Sequence, residues 1–378
     1  MADTDILIIG GGPAGLALAL ALAPSGQRIT VADARTQEAG AADPRALALA
    51  YGSQQILDRL GVWAGLDATA IETIHVSQQG GFGRTLLHAT ELDVPALGHV
   101  VAAGALTKAL RRAVADAGIE VLDQTPIASL AAGAETITAT PRGNSPPLRA
   151  RLVVRAEGAP DADGPVKTHD YHQHALIATV QPRDGHKNLA FERFTAEGPL
   201  ALLPFGQAYA SVLVASTATA RRLAELDDDA YLAHMQRTLG ARAHLATVGP
   251  RTHFPLALRY RPSPTGPRTV ALGNAAQTLH PVAGQGFNLA LRDVSTLARA
   301  LRDAADPGSP TVLQHWARQR RLDRAGTIAF TDGLIRLFSQ PSGLVSAARG
   351  AGLLGLDLCP PLRHFVARRM MFGARAWP

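Results

Sequence analysis

The stretch ILIIGGGPAGLALALALA, residues Ile6 to Ala23, decides the fold class of this chain. Its short apolar start predicts a buried parallel strand, and the glycines break the run before a helix of small residues. The segment RITVAD, which follows Pro24 and Gly26, predicts a second strand. Strand, helix and strand in this order predict a βαβ unit at the start of an α/β fold.

Three glycines within this stretch have the spacing of a dinucleotide-binding turn. Gly10, Gly12 and Gly15 form G-x-G-x-x-G between the predicted strand and helix, and Asp33 ends the second strand. Such a turn lets a pyrophosphate approach the backbone at a helix N-terminus, and the carboxylate can accept a hydrogen bond from a ribose hydroxyl. The motif indicates a dinucleotide site and leaves FAD and NAD as alternatives.

Composition indicates a globular protein with a large core. The chain has 378 residues, 47% of them apolar, and one cysteine. A single cysteine excludes an internal disulfide and suits a reducing compartment, so we expect a cytoplasmic location and a small buried side chain at Cys359. Asp3 and Asp5 precede the apolar run where a signal peptide needs positive charge, and no other run reaches spanning length.

Positive charge is concentrated at the C-terminal end. The net charge is +6, and the residues from Arg318 onward contain ten arginines and three aspartates. The arginines are interleaved with Leu, Phe and Val rather than with a series of aromatic residues arranged to stack on bases, which disfavours nucleic acid as a partner. Contact with a membrane surface and a solvated helical face both remain open.

The remaining elements predict an antiparallel layer and a helical end. Extended segments run from Tyr171 to Val214, and the final third reads as helices. The segment Asp43 to Trp63 has a helical period with Arg45 at its start, where a cation could meet a nucleotide. A second glycine-rich loop, within Gly273 to Asp293, precedes another helix and offers backbone N–H groups to an electron-rich ring or an oxyanion.

No side chain can be named as catalytic from the pattern. His169, His172 and His174 lack carboxylates or thiols at ligand spacing, so we expect no metal site. His280 is interpreted as a structural residue that holds the Pro281 loop. No G-x-S-x-G motif or carboxylate pair indicates a hydrolase.

Taken together, four segments resemble the ubiquinone-biosynthesis flavoprotein hydroxylases, which are of the para-hydroxybenzoate hydroxylase class. They are Gly10 to Gly15, DPRALALAYGSQQILDRLGVW, FERFTAEGPLALLPF and GNAAQTLHPVAGQGFNLALRD, in family order over nearly the whole chain. Asn274 and Gln277 look most similar to members that act on an octaprenyl methoxyphenol. The resemblance implies an α/β fold with a FAD-binding Rossmann-like βαβ domain, an antiparallel substrate-binding sheet and a C-terminal helical region.

The resemblance also implies the residues that hold FAD. It assigns the pyrophosphate turn to Gly10, Gly12, Pro13, Ala14 and Gly15, the ribose to Asp33, the linker region to Arg45, the ribityl end to Asn274, and the isoalloxazine to the loop of Pro281, Gly284, Gly286, Phe287 and Asn288. The implied domains are 1–75, 99–168 and 254–310 for FAD, 76–98 and 169–253 for substrate, and 311–378 as the helical region.

The activity implied is a monooxygenase reaction. O₂ and a prenylated phenol are the substrates, and NAD(P)H is the electron donor. The implied location is the cytoplasm, with peripheral contact at the inner face of the membrane through the basic tail and membership of a quinone-synthesis complex as further hypotheses. Two alternatives stay open, a flavin oxidoreductase without oxygen insertion and a non-catalytic subunit. Glu157, Gly104 and Ala215 stand where relatives usually carry Asp, Arg and Trp, and the first two of these changes fit the second alternative.

Overall fold

The predicted βαβ unit forms the N-terminal part of the protein. In the computed structural model, which describes residues 2–158, 160, 164–340 and 342–376, strand Thr4–Ile9 leads through the glycine turn into helix Pro13–Leu22 and strand Ile29–Ala32. The two strands pair in parallel. The fold class read from the first residues is therefore confirmed.

The described strands are, in chain order, β1 (Thr4–Ile9), β2 (Ile29–Ala32), β3 (Ala46–Ala50), β4 (Thr69–Ile71), β5 (Thr73–Gln78), β6 (Arg84–His88), β7 (Gly98–Ala102), β8 (Glu120–Leu122), β9 (Ile127–Ala132), β10 (Ile137–Pro141), β11 (Leu148–Arg155), β12 (Lys167–Pro182), β13 (Leu189–Phe194), β14 (Pro199–Phe205), β15 (Ala208–Ser216), β16 (Leu245–Val248), β17 (Thr252–Tyr260), β18 (Thr265–Gly266), β19 (Thr269–Ala271) and β20 (Gln277–Thr278). The helices are α1 (Pro13–Leu22), α2 (Gln37–Ala41), α3 (Tyr51–Arg59), α4 (Ala103–Asp116), α5 (Thr217–Glu225), α6 (Asp228–Leu239), α7 (Gln285–Leu301), α8 (Pro310–Phe338), α9 (Gly343–Leu358) and α10 (Pro360–Phe372).

A parallel sheet carries the nucleotide-binding turn. Strands β19, β11, β1, β2 and β8 lie side by side in this order and run in parallel. Apolar residues of β1, α1 and α7 form its core, with Ile6, Leu16 and Leu291 fully buried. Because parallel strands are covered on both faces, their sequences are continuously apolar.

The large sheet forms a second layer. Its strands run in the order β20, β17, β12, β15, β14, β13, β5 and β6, and all neighbours except β13 and β5 are antiparallel. Helix α6 covers one side, where Tyr231 and Met235 are fully buried against Leu176 and Leu213. We call the opposite side of this sheet the inner face.

The segment from Asp43 onward corrects the sequence prediction. It begins with strand β3, and only Tyr51–Arg59 is helical. The run ALALA fits a period of two as well as a helical period, and β3 pairs with β7, where Ala46 lies opposite Ala102. Tertiary pairing thus decides the structure of a locally ambiguous run.

The proposed domain boundaries remain a prediction. Strand β17 hydrogen-bonds within the large sheet, although the sequence prediction gave residues 254–260 to the FAD domain. Cys359, expected to be buried, is exposed between α9 and α10. Among the described residues, no helix combines the length and hydrophobicity needed to cross a bilayer.

Candidate active site

Packing within the protein requires two of the three motif glycines. Gly10 has φ +113°, and a Cβ there would lie 2.7 Å from the carbonyl carbon of Ala156. A Cβ on Gly15 would overlap the carbonyl oxygen of Gly10. Only glycine permits this turn between β1 and α1.

Gly12 differs from both, because nothing in the protein requires a glycine there. Its φ of −80° and ψ of 175° suit any residue, and the nearest atom to a Cβ would be Nη2 of Arg35, at 3.9 Å. Gly12 also caps α1 without a side-chain hydrogen bond, so Pro13 and Ala14 open a helix N-terminus that suits an anion. The open space beside this backbone is the cradle that a pyrophosphate needs.

Asp33 lies directly beneath the turn. Its carboxylate is 4% exposed, lies 3.3 Å from Nη2 of Arg35 and 3.8 Å from Nη2 of Arg111, and accepts the backbone N–H of Arg35. These cations stabilise a buried charge at the end of β2. The carboxylate is thus fixed beside the glycine turn, where it can accept a hydroxyl hydrogen bond.

The second glycine-rich loop meets the first at the start of α1. Gly273 has φ +58°, and its Cβ position lies 3.3 Å from Cβ of Ala14. Asn274, the next residue, is exposed. The structure therefore brings the two predicted cofactor segments, 260 residues apart, to the same end of α1.

The loop then contacts β3 and enters α7. Gly284 has φ +58°, with its Cβ position 3.1 Å from Cβ of Ala48. The side-chain amide of Asn288 accepts from the N–H of Ala50 and donates to the carbonyls of Ala48 and Gly284. The Asn288 side chain therefore ties α7 to β3.

Three further loop residues have different surroundings. Pro281 is exposed, Phe287 is half-buried against the parallel-sheet core, and no protein atom lies within 4 Å of a Cβ on Gly286. The backbone beside Gly286 is therefore open at the start of α7.

Arg45 lies at the edge of this region. It forms an ion pair with Asp43, 2.6 Å from Nη2 to Oδ2, and about half of its side chain is exposed. The hydrogen bond to Asp43 raises the pKa of Arg45. The ion pair with Asp43 therefore fixes the Arg45 guanidinium next to the start of β3.

His280 fixes the loop from below. Its Nδ1 accepts the N–H of Val282, and its ring packs edge-on against Tyr171, whose hydroxyl donates to Asp332. Burial lowers the pKa of His280 to about 3, so the ring is neutral at physiological pH. This contact agrees with the structural interpretation of His280.

His280 should make the fold sensitive to acid. Its pKa is depressed in the folded protein, so stability falls as pH drops below about 6.5, by up to about 1.4 kcal/mol per pH unit. His280→Asn keeps an acceptor for Val282 but does not titrate. Urea unfolding between pH 6 and 5 should show a shallower pH slope in the variant, and equal slopes would contradict this assignment.

Glu192 is a functional candidate that sequence reasoning missed. It lies on β13 with its side chain on the inner face, and its Oε1 is buried without a hydrogen-bond partner among the described residues. Burial raises its pKa to about 8. The sequence contains one signal that could have identified Glu192. In the segment FERF, two adjacent charged residues lie in a predicted strand between two phenylalanines. Of these two charges, only Arg193 has hydrogen-bond partners that account for it. Its side chain lies on the side of the sheet opposite the inner face and donates to Ser77 and Thr238.

The histidines of β12 do not converge on a metal-binding arrangement. His172 has φ +54° at an irregularity in the pairing with β17, and Nδ1 of His174 lies 3.2 Å from Nδ1 of His253. Over the described residues, no group of three or more His, Cys, Asp or Glu side chains could hold a metal.

The basic tail is partly buried. Arg320 and Arg324 of α8 and Arg363 of α10 are each less than a tenth exposed. Arg324 donates to Oε1 of Gln277, and Arg363 pairs with Glu91 at 2.9 Å. A substantial part of the tail's charge therefore stabilises the fold.

The residues that depart from the family pattern have local roles. A Cβ on Gly104 would overlap the carbonyl oxygen of Ala41, and Ala215 is buried in the core under the large sheet. Glu157 lies 3.4 Å from Nη2 of Arg155. Residues 159 and 161–163 of the following segment lie outside the described residues.

Comparison with known proteins identifies the class. The sequence matches the FAD binding domain family over residues 3–330. It is 32% identical to ubiquinone hydroxylase UbiL of Rhodospirillum rubrum, over 99% of this chain and 91% of that protein. It is 30% identical to 3-demethoxyubiquinol 3-hydroxylase of Escherichia coli, over 93% and 96%.

Solved structures agree on the fold. The p-nitrophenol 4-monooxygenase of Pseudomonas putida DLL-E4 superposes with a TM-score of 0.81 at 17% identity, over 99% of this chain and 100% of that one. Fold and family together define a FAD-dependent monooxygenase. Within that class, the chain belongs to the FAD-dependent hydroxylases of ubiquinone biosynthesis, as the sequence resemblance predicted.

Proposed function

We propose that this protein hydroxylates the ring of a polyprenylated phenol on the route to ubiquinone, with O₂ as the oxygen source and NAD(P)H as the electron donor. The observation that carries the proposal is the inner face of the large sheet, which is largely apolar and partly accessible next to the Pro281 loop. Such a floor suits an aromatic ring with an isoprenoid chain.

The residues present fit FAD. Gly12, Pro13 and Ala14 offer the open helix N-terminus to the pyrophosphate, between the packing glycines Gly10 and Gly15. We assign the remaining contacts to Asp33 for the ribose, Arg45 for the linker, Asn274 for the ribityl end, and Pro281, Gly284, Gly286, Phe287 and Asn288 for the isoalloxazine. Bound FAD supplies electron transfer and oxygen activation.

The protein's own contribution is binding, orientation and shielding. Backbone N–H groups at the start of α7 can stabilise negative charge at the ring edge of the cofactor. Apolar side chains of the inner face exclude water and hold the phenol ring. His280 keeps the Pro281 loop in place through the Val282 N–H.

Within the family, the pattern GNAAQTLHP resembles 2-octaprenyl-6-methoxyphenol hydroxylase most. Gln277 is 2% exposed and bridges Asp293 and Arg324, so its identity is tied to the buried charges of α7 and α8. Membership of a quinone-synthesis complex is a further part of the proposal, motivated by the same resemblance.

The test is product analysis with FAD-loaded protein, NADH or NADPH, and 2-prenylphenol in detergent micelles. A product with one additional oxygen atom supports the proposal. Oxidation of the substrate without added oxygen would favour the flavin oxidoreductase alternative. Protein that cannot be reconstituted with FAD would favour the non-catalytic subunit.

Membrane contact is the second part of the proposal. Exposed apolar side chains support it more directly than the positive charge of the tail does. Helices α9 and α10 expose large apolar residues, which we call the apolar tail surface: Leu344, Leu354, Leu358, Leu362 and Phe365. Leu344 and Leu358 are 85% and 73% exposed. Exposed apolar surface of this kind, beside arginines such as Arg368, suits an anionic lipid surface.

Vesicle binding tests this surface. The double variant Leu344→Ser with Leu358→Ser should bind phosphatidylglycerol vesicles about tenfold more weakly, because two leucines lose burial in lipid. Leu322→Ser, at an equally exposed leucine on α8, is the matched control and should bind like the parent. Co-sedimentation that is equal for all three proteins would exclude the apolar tail surface as the contact.

A further inference from the structure

One row of side chains crosses the inner face of the large sheet from β5 to β12. In the strand register, Val76, Glu192, Ala201, Val212 and Ile177 lie opposite one another in turn. Each of the five keeps part of its surface accessible, whereas the residues before and after it in its strand are buried. Since side chains alternate between the faces of a strand, the row borders open space on one side of the sheet. Glu192 is the charged member of this otherwise apolar row.

The neighbours of Glu192 connect it to both parts of the proposed flavin site. Phe194 and Val76 pack with Val282 of the Pro281 loop. Ala190 packs with Ala46 of β3 and with Val100. Glu192 thus lies between the two clusters that join the inner face to the loop and to β3.

No charged side chain among the described residues compensates this carboxyl group. On the inner face, β5 and β14 place Val76 and Ala201 beside it. His75 and Arg193 point to the opposite side of the sheet, and the Tyr171 hydroxyl donates to Asp332.

The other segments packed near Glu192 also carry titratable groups. They are His280 at the Pro281 loop, His99 on β7, Arg45 before β3, and Asp332 and Arg336 on α8. None of them forms a hydrogen bond or ion pair with Glu192 among the described residues. Burial is the cause of the raised pKa of Glu192.

A carboxyl oxygen buried without a hydrogen-bond partner, as Oε1 of Glu192 is among the described residues, costs stability unless a ligand supplies the missing hydrogen bond. We propose that Glu192 binds the phenolic hydroxyl of the substrate and accepts its proton. The proposal rests on the proposed function, because the ligand class is a phenol. In this step the phenolic O–H bond breaks, the proton moves to a carboxylate oxygen of Glu192, and the electron pair remains on the phenolate oxygen. The phenolate makes the ring more electron-rich, as hydroxylation of a ring carbon requires.

The predicted step has a spectroscopic readout that does not need turnover. Difference absorption spectra of FAD-loaded protein with 2-prenylphenol, taken from pH 6 to 9, report the phenolate. In the parent, the bound phenol should show phenolate absorption within this range, below the pH of about 10 at which phenols ordinarily ionise, because the carboxylate of Glu192 takes up its proton. Glu192→Gln should show no phenolate in this range, and Glu192→Asp should retain it. Glu225→Gln, the same change at an exposed position on α5, should match the parent.

Turnover gives the second readout. A positioned general base contributes about a hundredfold or more, so Glu192→Gln should lower kcat by at least that factor with a smaller change in KM. Because the pKa of Glu192 is raised in the folded protein, its ionisation opposes folding above pH 4.5. Glu192→Gln should therefore melt at a higher temperature than the parent at pH 8, which separates loss of function from loss of fold.

The outcomes distinguish this proposal from the proposed function. If the parent ionises bound phenol but inserts no oxygen, the proposed function fails and the role of Glu192 stands. If Glu192→Gln ionises the phenol or hydroxylates it as the parent does, the role of Glu192 is overturned while the proposed function stands.

Discussion

Replacing Asp323 by alanine is expected to lower the free energy of unfolding by about 3 to 5 kcal/mol, because it leaves buried cations without their partner. The carboxylate is 1% exposed and lies 2.8 Å from Nε of Arg292, 2.6 Å from Nη2 of Arg320 and 3.3 Å from Nη1 of Arg369. It also accepts the N–H of Ala374. These contacts join α7, α8 and α10. Asp323 therefore stabilises α7, the helix that follows the Pro281 loop.

The Asp323 carboxylate also makes the stability of the folded protein depend on pH. Burial alone would raise the pKa of Asp323, but Arg292 and Arg320 outweigh it and lower the value to about 2. The contribution is therefore complete above about pH 4 and is lost as pH falls through 2.

Denaturant unfolding of Asp323→Ala at neutral pH measures this loss. Asp303→Ala, at an exposed aspartate just after α7, is the control and should change stability by less than about 0.5 kcal/mol. A cost below about 1 kcal/mol for Asp323→Ala would show that the cluster contributes little.

Gly12→Val is expected to abolish retention of FAD without unfolding the protein. The backbone at Gly12 suits valine, and the nearest described protein atom to a Cβ there, Nη2 of Arg35, lies at an ordinary contact distance of 3.9 Å. The added methyl groups would instead fill the space in front of α1 that the pyrophosphate needs. We expect at least about a hundredfold weaker binding with near-parental thermal stability of the apoprotein.

Gly352→Val supplies the control for this experiment. Gly352 also has open space around its Cβ position, but it lies on α9. Equilibrium titration with FAD should give parental affinity for this variant. Parental affinity in Gly12→Val would show that the cofactor does not use the glycine turn.

The local sequence was enough to predict the N-terminal βαβ unit. It was not enough where contacts with distant residues determine the structure. The βαβ prediction succeeded because the apolar runs and the turn glycines act within about thirty residues. Residues Ala46–Ala50 were expected to be helical, and they form a strand because β7 pairs with them. Asn288 is predicted to contact the isoalloxazine, and its amide also ties α7 to β3, a tertiary contact that the local sequence does not reveal.

Burial of charge could not be read from the sequence. The ten arginines from Arg318 onward suggested a surface, yet Arg320 and Arg324 are buried beside carboxylate and amide partners on other segments. Glu192 escaped notice for the opposite reason, since a charge in a strand usually points to water. Its isolation depends on the two neighbouring strands, β5 and β14, and on the Pro281 loop, which only the tertiary structure brings together.

The central claim, that this chain inserts an atom of dioxygen into a phenol ring with FAD, is tested most directly by isotope labelling. FAD-loaded protein, NADH or NADPH, and 2-prenylphenol are incubated under isotopically heavy dioxygen in ordinary water, and the product is analysed by mass spectrometry. The account predicts a ring-hydroxylated product in which the new oxygen is heavy. A hydroxylated product carrying oxygen from water, or an oxidised product without new oxygen, would contradict it.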